Sequence, residues 1–368
     1  MTPPPLTADD PRLADRHLLA LAADVTAEEV EVLALSRFAG VRWEAPVPDV
    51  APRGRAARDP MAGVGVLRLS RHSTAAGPFA LAAEAVSRLG LPPDTATGFL
   101  VVSPRERGEP PYPGGDRDGL GRAFPTAMPI RDEERVLRWT VDAARRLAGS
   151  VRVAGRDGGT VLVPDPGAAV DLTVWSGVWL EPPTALAVVH RAAPWARLAM
   201  EPAPWQGPAT GPTRTPSAAA PVAAVPATPA PRLGERVRRR LHDRADAYDA
   251  AALAAPDELT GYGIEIDLGV DGLVVVEVGG DDVLPLVLRG LPWTQQGAAL
   301  YRVRWEPADV EELEREVPTQ AHRASRDRVQ PVVTAVAAAL HDVVGGEVAD
   351  AAEFLVDPGD LGGGPDAA

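Results

Sequence analysis

The sequence predicts an α+β protein made of two related modules, and three observations carry that reading. The first is a paired motif. RVQPVVTAVAAALHDVVGGEVADAAEFLVDP (328–358) and RVLRWTVDAARRLAGSVRVAGRDGGTVLVPDP (135–166) share Arg-Val at a helix start and small residues at its end. They also share Val-Ala in a first strand and Leu-Val before a closing proline, a pattern expected of internal duplication. The second is the order of elements upstream of each copy, strand, helix, strand and connection, which runs in parallel in the two halves. The third is residues 202–231, Pro-, Ala- and Thr-rich and nearly uncharged, which have no periodicity with which to bury a core.

The division expected from these features has five parts. Residues 1–60 form an N-terminal tail and helix, 61–201 a first module, and 202–231 a disordered linker. Residues 232–361 form a second module and 362–368 a tail. Two helices against one face of a small, largely antiparallel sheet is an economical way to bury such elements. The expected modules are therefore ferredoxin-like, of the split-βαβ type.

In chain order, Thr26 and Glu29 have capping-box spacing and open a helix with Val30, Leu33 and Phe38 on one side. Val64–Ser70 reads as a strand, and Pro78 suits the first turn of a helix ending at Gly90. Residues 98–103 form a strand. The stretch 104–129, rich in Pro, Gly, Arg and Asp, is longer than the ~12–15 residues usual for a structureless loop and reads as a decorative or disordered excursion. A helix over 132–147 and two short strands complete the first copy.

Residues 171–180 alternate as a strand that would place Trp175 and Trp179 on one face. After the linker, 233–253 has helical spacing. Ile264, Ile266 and Leu268 alternate with Glu265 and Asp267, and Asp271-Gly272 suits a hairpin turn into the apolar strand 273–278. A short apolar segment near 283–288, a strand over 300–305, an acidic helix over 308–317 and the closing motif follow.

Composition excludes several chemistries. All 37 basic residues are arginine, and cysteine is absent. Without lysine there is no Schiff base, Walker-type phosphate loop or kinase strand lysine. Without cysteine there is no thiol nucleophile, thiolate metal site or disulfide framework. A net charge of −14 argues against sequence-independent binding to nucleic acid or anionic lipid, both of which need a cationic face. No apolar run reaches the ~18 residues of a membrane span, and the N-terminus lacks a basic signal region. A cytoplasmic location is expected.

Site signals are sparse. The six histidines form no local metal spacing, and no Gly-x-Ser-x-Gly pentad occurs. Glu265, Asp267 and Glu277 should share one face of the 262–278 hairpin, where clustered carboxylates could hold Mg²⁺ or Ca²⁺ or split acid and base roles. Trp175 and Trp179, with Arg236, Arg239 and Arg240 of a basic patch, are candidates for partner binding. The expected function is a non-catalytic interaction or regulatory protein with protein partners and no cofactor or bound metal. A homo-oligomer is compatible with this. The alternatives are a carboxylate- or divalent-metal-dependent hydrolase and a small-molecule sensor with its pocket between the modules.

Overall fold

Two seven-stranded antiparallel sheets organise the computed structural model, which describes residues 3–44, 64–155, 159–199, 239–240, 244, 261–281, 283–295 and 297–361. The first sheet contains β1 (His17–Leu21), β2 (Arg42–Glu44), β3 (Gly65–Arg68), β4 (Thr74–Ala80), β5 (Thr97–Val102), β6 (Ser150–Val153) and β7 (Thr160–Leu162). Its spatial order is β2-β3-β4-β5-β1-β6-β7. The second contains β8 (Leu172–Ser176), β9 (Arg197–Leu198), β10 (Gly261–Asp267), β11 (Leu273–Asp281), β12 (Ala298–Glu306), β13 (Glu347–Asp350) and β14 (Leu355–Val356), in the order β14-β13-β8-β12-β11-β10-β9. Counted from its own first strand, β8, and read from the opposite edge, the second sheet has the strand order of the first.

The helices fall at matching places in the chain. After β1 comes α1 (Ala27–Arg37), and α2 (Ala83–Leu89) separates β4 from β5. A single turn, α3 (Leu120–Ala123), lies in the β5–β6 connection, followed by α4 (Arg131–Arg146). In the second half α5 (Pro182–Val189) follows β8, α6 (Gln320–Val344) precedes β13, and α7 (Pro358–Leu361) follows β14. Two 3₁₀ turns, Leu286–Leu288 and Pro292–Thr294, occupy the place that α2 holds in the first half.

The local chemistry behind these elements is plain. The Thr26 hydroxyl accepts the Glu29 N–H and the Glu29 carboxylate accepts the Thr26 N–H, so both arms of the capping box form. Val30, Leu33 and Phe38 are buried as expected, and Phe38 meets the edge of Trp139 on α4. One face of the first sheet packs Leu19, Leu21, Phe99 and Val101 against α1 and α4. The other packs Leu18, Ala20, Phe79 and Leu100 against α2 and the N-terminal Leu6 and Leu13. In the second sheet Val174, Ile264, Val276 and Tyr301 face α5 and α6. Trp175, Leu300 and Ala349 face the turns around Leu284 and Leu288.

Several expectations change here. The modules are not ferredoxin-like: each sheet has seven strands where a split-βαβ unit has four, and both faces of each sheet are covered. The sheets also divide the chain at other places than the composition indicated. The first draws the interior strand β1 and the edge strand β2 from residues 17–44, and the second takes β8 and β9 from residues 172–198. β1 (HLLAL) is buried at all five positions, so it shows no alternation from which a strand can be read. Pro78 sits inside β4 at a register shift between Ala76 and Phe79, where a residue without an N–H costs no ladder bond.

The expected linker, the 362–368 tail and Arg236 lie outside the described residues. Residues 200–260 form a separate unit, of which Arg239, Arg240 and Arg244 are helical and exposed. The 104–129 excursion is ordered. The Gly108 N–H donates to the Met128 carbonyl, the Met128 N–H to the Glu109 carbonyl, and the Asp116 N–H to the Glu314 carbonyl.

Candidate functional site

The three carboxylates singled out by sequence do share a face. Glu265 pairs in register with Val275, Asp267 with Leu273 and Glu277 with Gly263, all opposite the buried Ile264 and Ile266. They are not a metal cluster. Glu265 meets Arg197 at 3.2 Å, Glu277 meets Arg304 at 3.0 Å and Arg302 at 3.5 Å, and Asp267 accepts the Gly269 N–H. Each carboxylate is occupied within the sheet. Among the described residues no group of three or more His, Asp or Glu side chains is placed to hold a metal ion.

Trp175 and Trp179 do not share a face. β8 ends at Ser176, and Tyr301 and Tyr262 take hold of the turn that follows. The Tyr301 hydroxyl donates to the Val178 carbonyl and accepts the Leu180 N–H, while Tyr262 donates to the Leu180 carbonyl. Trp175 is buried beneath the Leu284–Leu291 turns, and Trp179 lies against Tyr262 at 5.7 Å on the other side of the sheet. Strand spacing fails because the strand stops between the two tryptophans.

Among the described residues, neither Ser70, Ser73 and His72 nor His17 forms a nucleophile–base pair. The hydroxyls of Ser70 and Ser73 both donate to Asp132, and His72 accepts from Arg71. His17 is buried, its Nδ1 accepts the Ala154 N–H, and its Nε2 lies 3.9 Å from Glu133 Oε1. Burial, with the positive charges of Arg107, Arg105 and Arg152, pushes its pKa down to about 4. A neutral ring with one nitrogen engaged by the main chain is a structural histidine.

Buried and half-buried charges gather in a cleft where the two sheets' connections meet. It has a volume of about 340 Å³ and an adjoining chamber of about 330 Å³. From the first half come Arg117, Asp118 and Arg145; from the second, Asp171, Arg304 and Arg326. Arg145, in the last turn of α4, bonds Asp142 at 2.8 Å and Asp118 more closely still. Arg326, on α6, bonds Asp165 at 2.6 Å. Its guanidinium lies so close to the Gly167 main chain that a Cβ there would overlap it. Arg117 donates to the Ala168 carbonyl at 2.7 Å and has no carboxylate partner among the described residues. The Nε atoms of Arg145, Arg304 and Arg326 are buried without acceptors.

The acids of this cleft are correspondingly perturbed. Burial raises the pKa of Asp142, Asp171 and Asp350, although each is near an arginine. For Asp165 burial works in the same direction, but the Arg326 hydrogen bond and charge outweigh it and hold the carboxyl below its ordinary value. His322, 4.9 Å from the Trp305 ring, is lowered mainly by burial. Guanidinium donors and partly desolvated carboxylates in one enclosure can recognise a polar group of either charge. No serine or threonine among the described residues of the cleft is hydrogen-bonded to a histidine or carboxylate.

Sequence reasoning did not find this cleft, because its residues run from 117 to 361 and share no local spacing. The one signal was the long 104–129 stretch, which supplies Arg117 and Asp118. No protein-family model matches the chain, and neither a curated protein nor a solved structure does.

Proposed function

We propose that the chain is a non-catalytic interaction or regulatory protein, built by duplication of one α+β module, with the Pro-rich 202–231 segment falling between β9 and β10 of the second copy. The observation that carries this reading is the common strand order of the two sheets, which meet at a cleft furnished by both. The charges of that cleft are used mostly on one another. Such a cleft is suited to holding the halves in register and to sensing a partner that disturbs their ion pairs. The protein partner expected from the sequence belongs to this reading.

The cleft volume favours one second reading, a small-molecule sensor, with Arg117 and Asp171 contacting the ligand. Native mass spectrometry of the full-length chain separates the two. The interaction reading predicts the mass of the chain, or an integer multiple of it, with nothing retained. A retained small mass that disappears in Arg117→Ala would replace that reading with the sensor.

A further inference from the structure

We propose that the groove between α4, the end of α1 and the 283–289 segment is a docking site for an acidic peptide segment of a protein partner. This rests on the interaction reading above and adds a surface and a partner chemistry to it. The groove has a volume of about 570 Å³ and is lined by Arg37, Arg131, Arg135, Arg138 and Arg289, against Glu134 and Glu353. Residues 131, 135 and 138 recur at one helical face, so α4 presents a row of guanidinium groups.

On α4 the three arginines stand outward and their acids are recessed, whereas Arg37 is the less exposed member of its pair with Glu353. Arg131, Arg138 and Arg135 are 78%, 62% and 51% exposed, whereas their partners Glu106, Glu134 and Asp132 are 34%, 39% and 20% exposed. Arg289 donates only to the Leu284 carbonyl and has no carboxylate partner among the described residues. Exposed ion pairs of this kind are worth little and exchange readily for a partner's carboxylate. The face offered to solvent is cationic on a chain whose net charge is −14. Beside it, the exposed Val283 and the half-buried Leu286 give an apolar wall.

Backbone conformation supplies an independent observation. Of the three described non-glycine residues with positive φ, two line this groove: Arg131 at 54° and Glu353 at 64°. Side-chain-bearing residues are held there against a local cost that glycine would not incur, a feature that clusters at ligand clamps. Glycine at 131 would remove the cost together with the charge.

A short acidic segment fits this patch better than a long polyanion. Screening confines attraction to within about 10 Å at ordinary salt, so a peptide meets the arginines without meeting the acidic remainder of the chain. A nucleic acid or an anionic membrane would extend over that remainder and be repelled by it. An acidic peptide with one apolar side chain uses both the guanidinium row and the Val283 wall.

The test uses the full-length chain and a fluorescent probe peptide of glutamates around a single leucine, followed by polarisation. The expected result is salt-sensitive binding that weakens about tenfold in each of Arg138→Glu and Arg131→Gly. Arg88→Glu, on α2 against the other face of the first sheet, should bind as the unaltered chain does. Arg131→Gly should hold or raise the melting temperature, so that its loss of binding is not unfolding. Absence of binding, or equal binding by these variants, overturns the proposal. So does tighter binding of single-stranded DNA or phosphatidylserine vesicles through the same arginines. Such a failure with a clean native mass would remove this surface and leave the broader interaction reading standing.

Discussion

The Asp116 N–H donates to the Glu314 carbonyl across 2.8 Å, and this bond ties the β5–α4 connection to the β12–α6 connection. The two connections occupy equivalent places in their halves. Arg122 and Glu316 reinforce the junction with a bidentate ion pair, and the Asp116 carboxylate caps the α3 turn through the N–H groups of Gly121 and Arg122. The long 104–129 stretch is therefore a strut between the halves.

Gly115 marks how close this approach is, because a Cβ there would overlap the Glu314 side chain and carbonyl. Gly115→Ala should destabilise the chain by about 1–3 kcal/mol through overpacking. Arg122→Ala, which removes a largely exposed pair, should cost no more than about 1 kcal/mol. Urea denaturation of the two variants checks the ranking, and equal costs would contradict it.

Much of the fold was legible in the sequence for reasons that can be named. The Thr26–Glu29 capping box, the Gly90 stop, the 262–278 hairpin and the closing helix–strand–strand motif each carry their chemistry within a few residues. β1 was hidden by its uniform burial, and β4 by a proline placed at a bulge. At the candidate sites, the common face of Glu265, Asp267 and Glu277 followed from alternation alone. Their arginine partners come from β9 and β12, which alternation within one hairpin does not identify. The cleft was illegible because Arg117, Arg145, Asp171 and Arg326 are assembled by topology.

His17 gives the chain a pH dependence. Its folded pKa of about 4 lies below the unfolded value of 6.5, so the unfolded chain binds more protons between them. The contribution is fully present above pH 6.5 and is lost as the pH falls through the window to about 4, by up to about 3 kcal/mol. His17→Gln should flatten that part of the stability–pH profile. An unchanged slope would show that other groups set it.

Phe354 belongs to the β13–β14 turn of the second sheet, yet it is buried in the core of the first with Leu33, Phe38 and Trp139. Phe354→Ala should cost about 3–5 kcal/mol. Arg37→Ala, which breaks the part-exposed contacts with Glu353 at 3.2 Å and Asp142 at 3.5 Å, should cost less, about 1 kcal/mol. Thermal unfolding of both variants tests whether the aromatic plug or the ion pair holds this junction.

The two tryptophans proposed together as partner contacts should behave differently. Trp175→Ala empties a buried site and should cost about 3–5 kcal/mol. Trp179→Ala loses a half-buried ring and its edge contact with Tyr262, for which the contact itself accounts for about 0.5–1.5 kcal/mol. A larger effect at Trp179 would contradict its placement.

The shared strand order depends on β8 lying between β12 and β13 in the second sheet, in the place β1 holds between β5 and β6 in the first. The chain has no cysteine, so a single introduced pair reports on that placement without interference. In register, Thr173 on β8 faces Arg302 on β12. Thr173→Cys with Arg302→Cys should close a disulfide under mild oxidation, because directly opposed antiparallel positions bring the Cβ atoms within bridging range. Thr173→Cys with Val101→Cys, on β5 of the first sheet, should not. A bridge in the second pair and none in the first would place 172–176 in the other sheet and remove the shared strand order on which the proposed function rests.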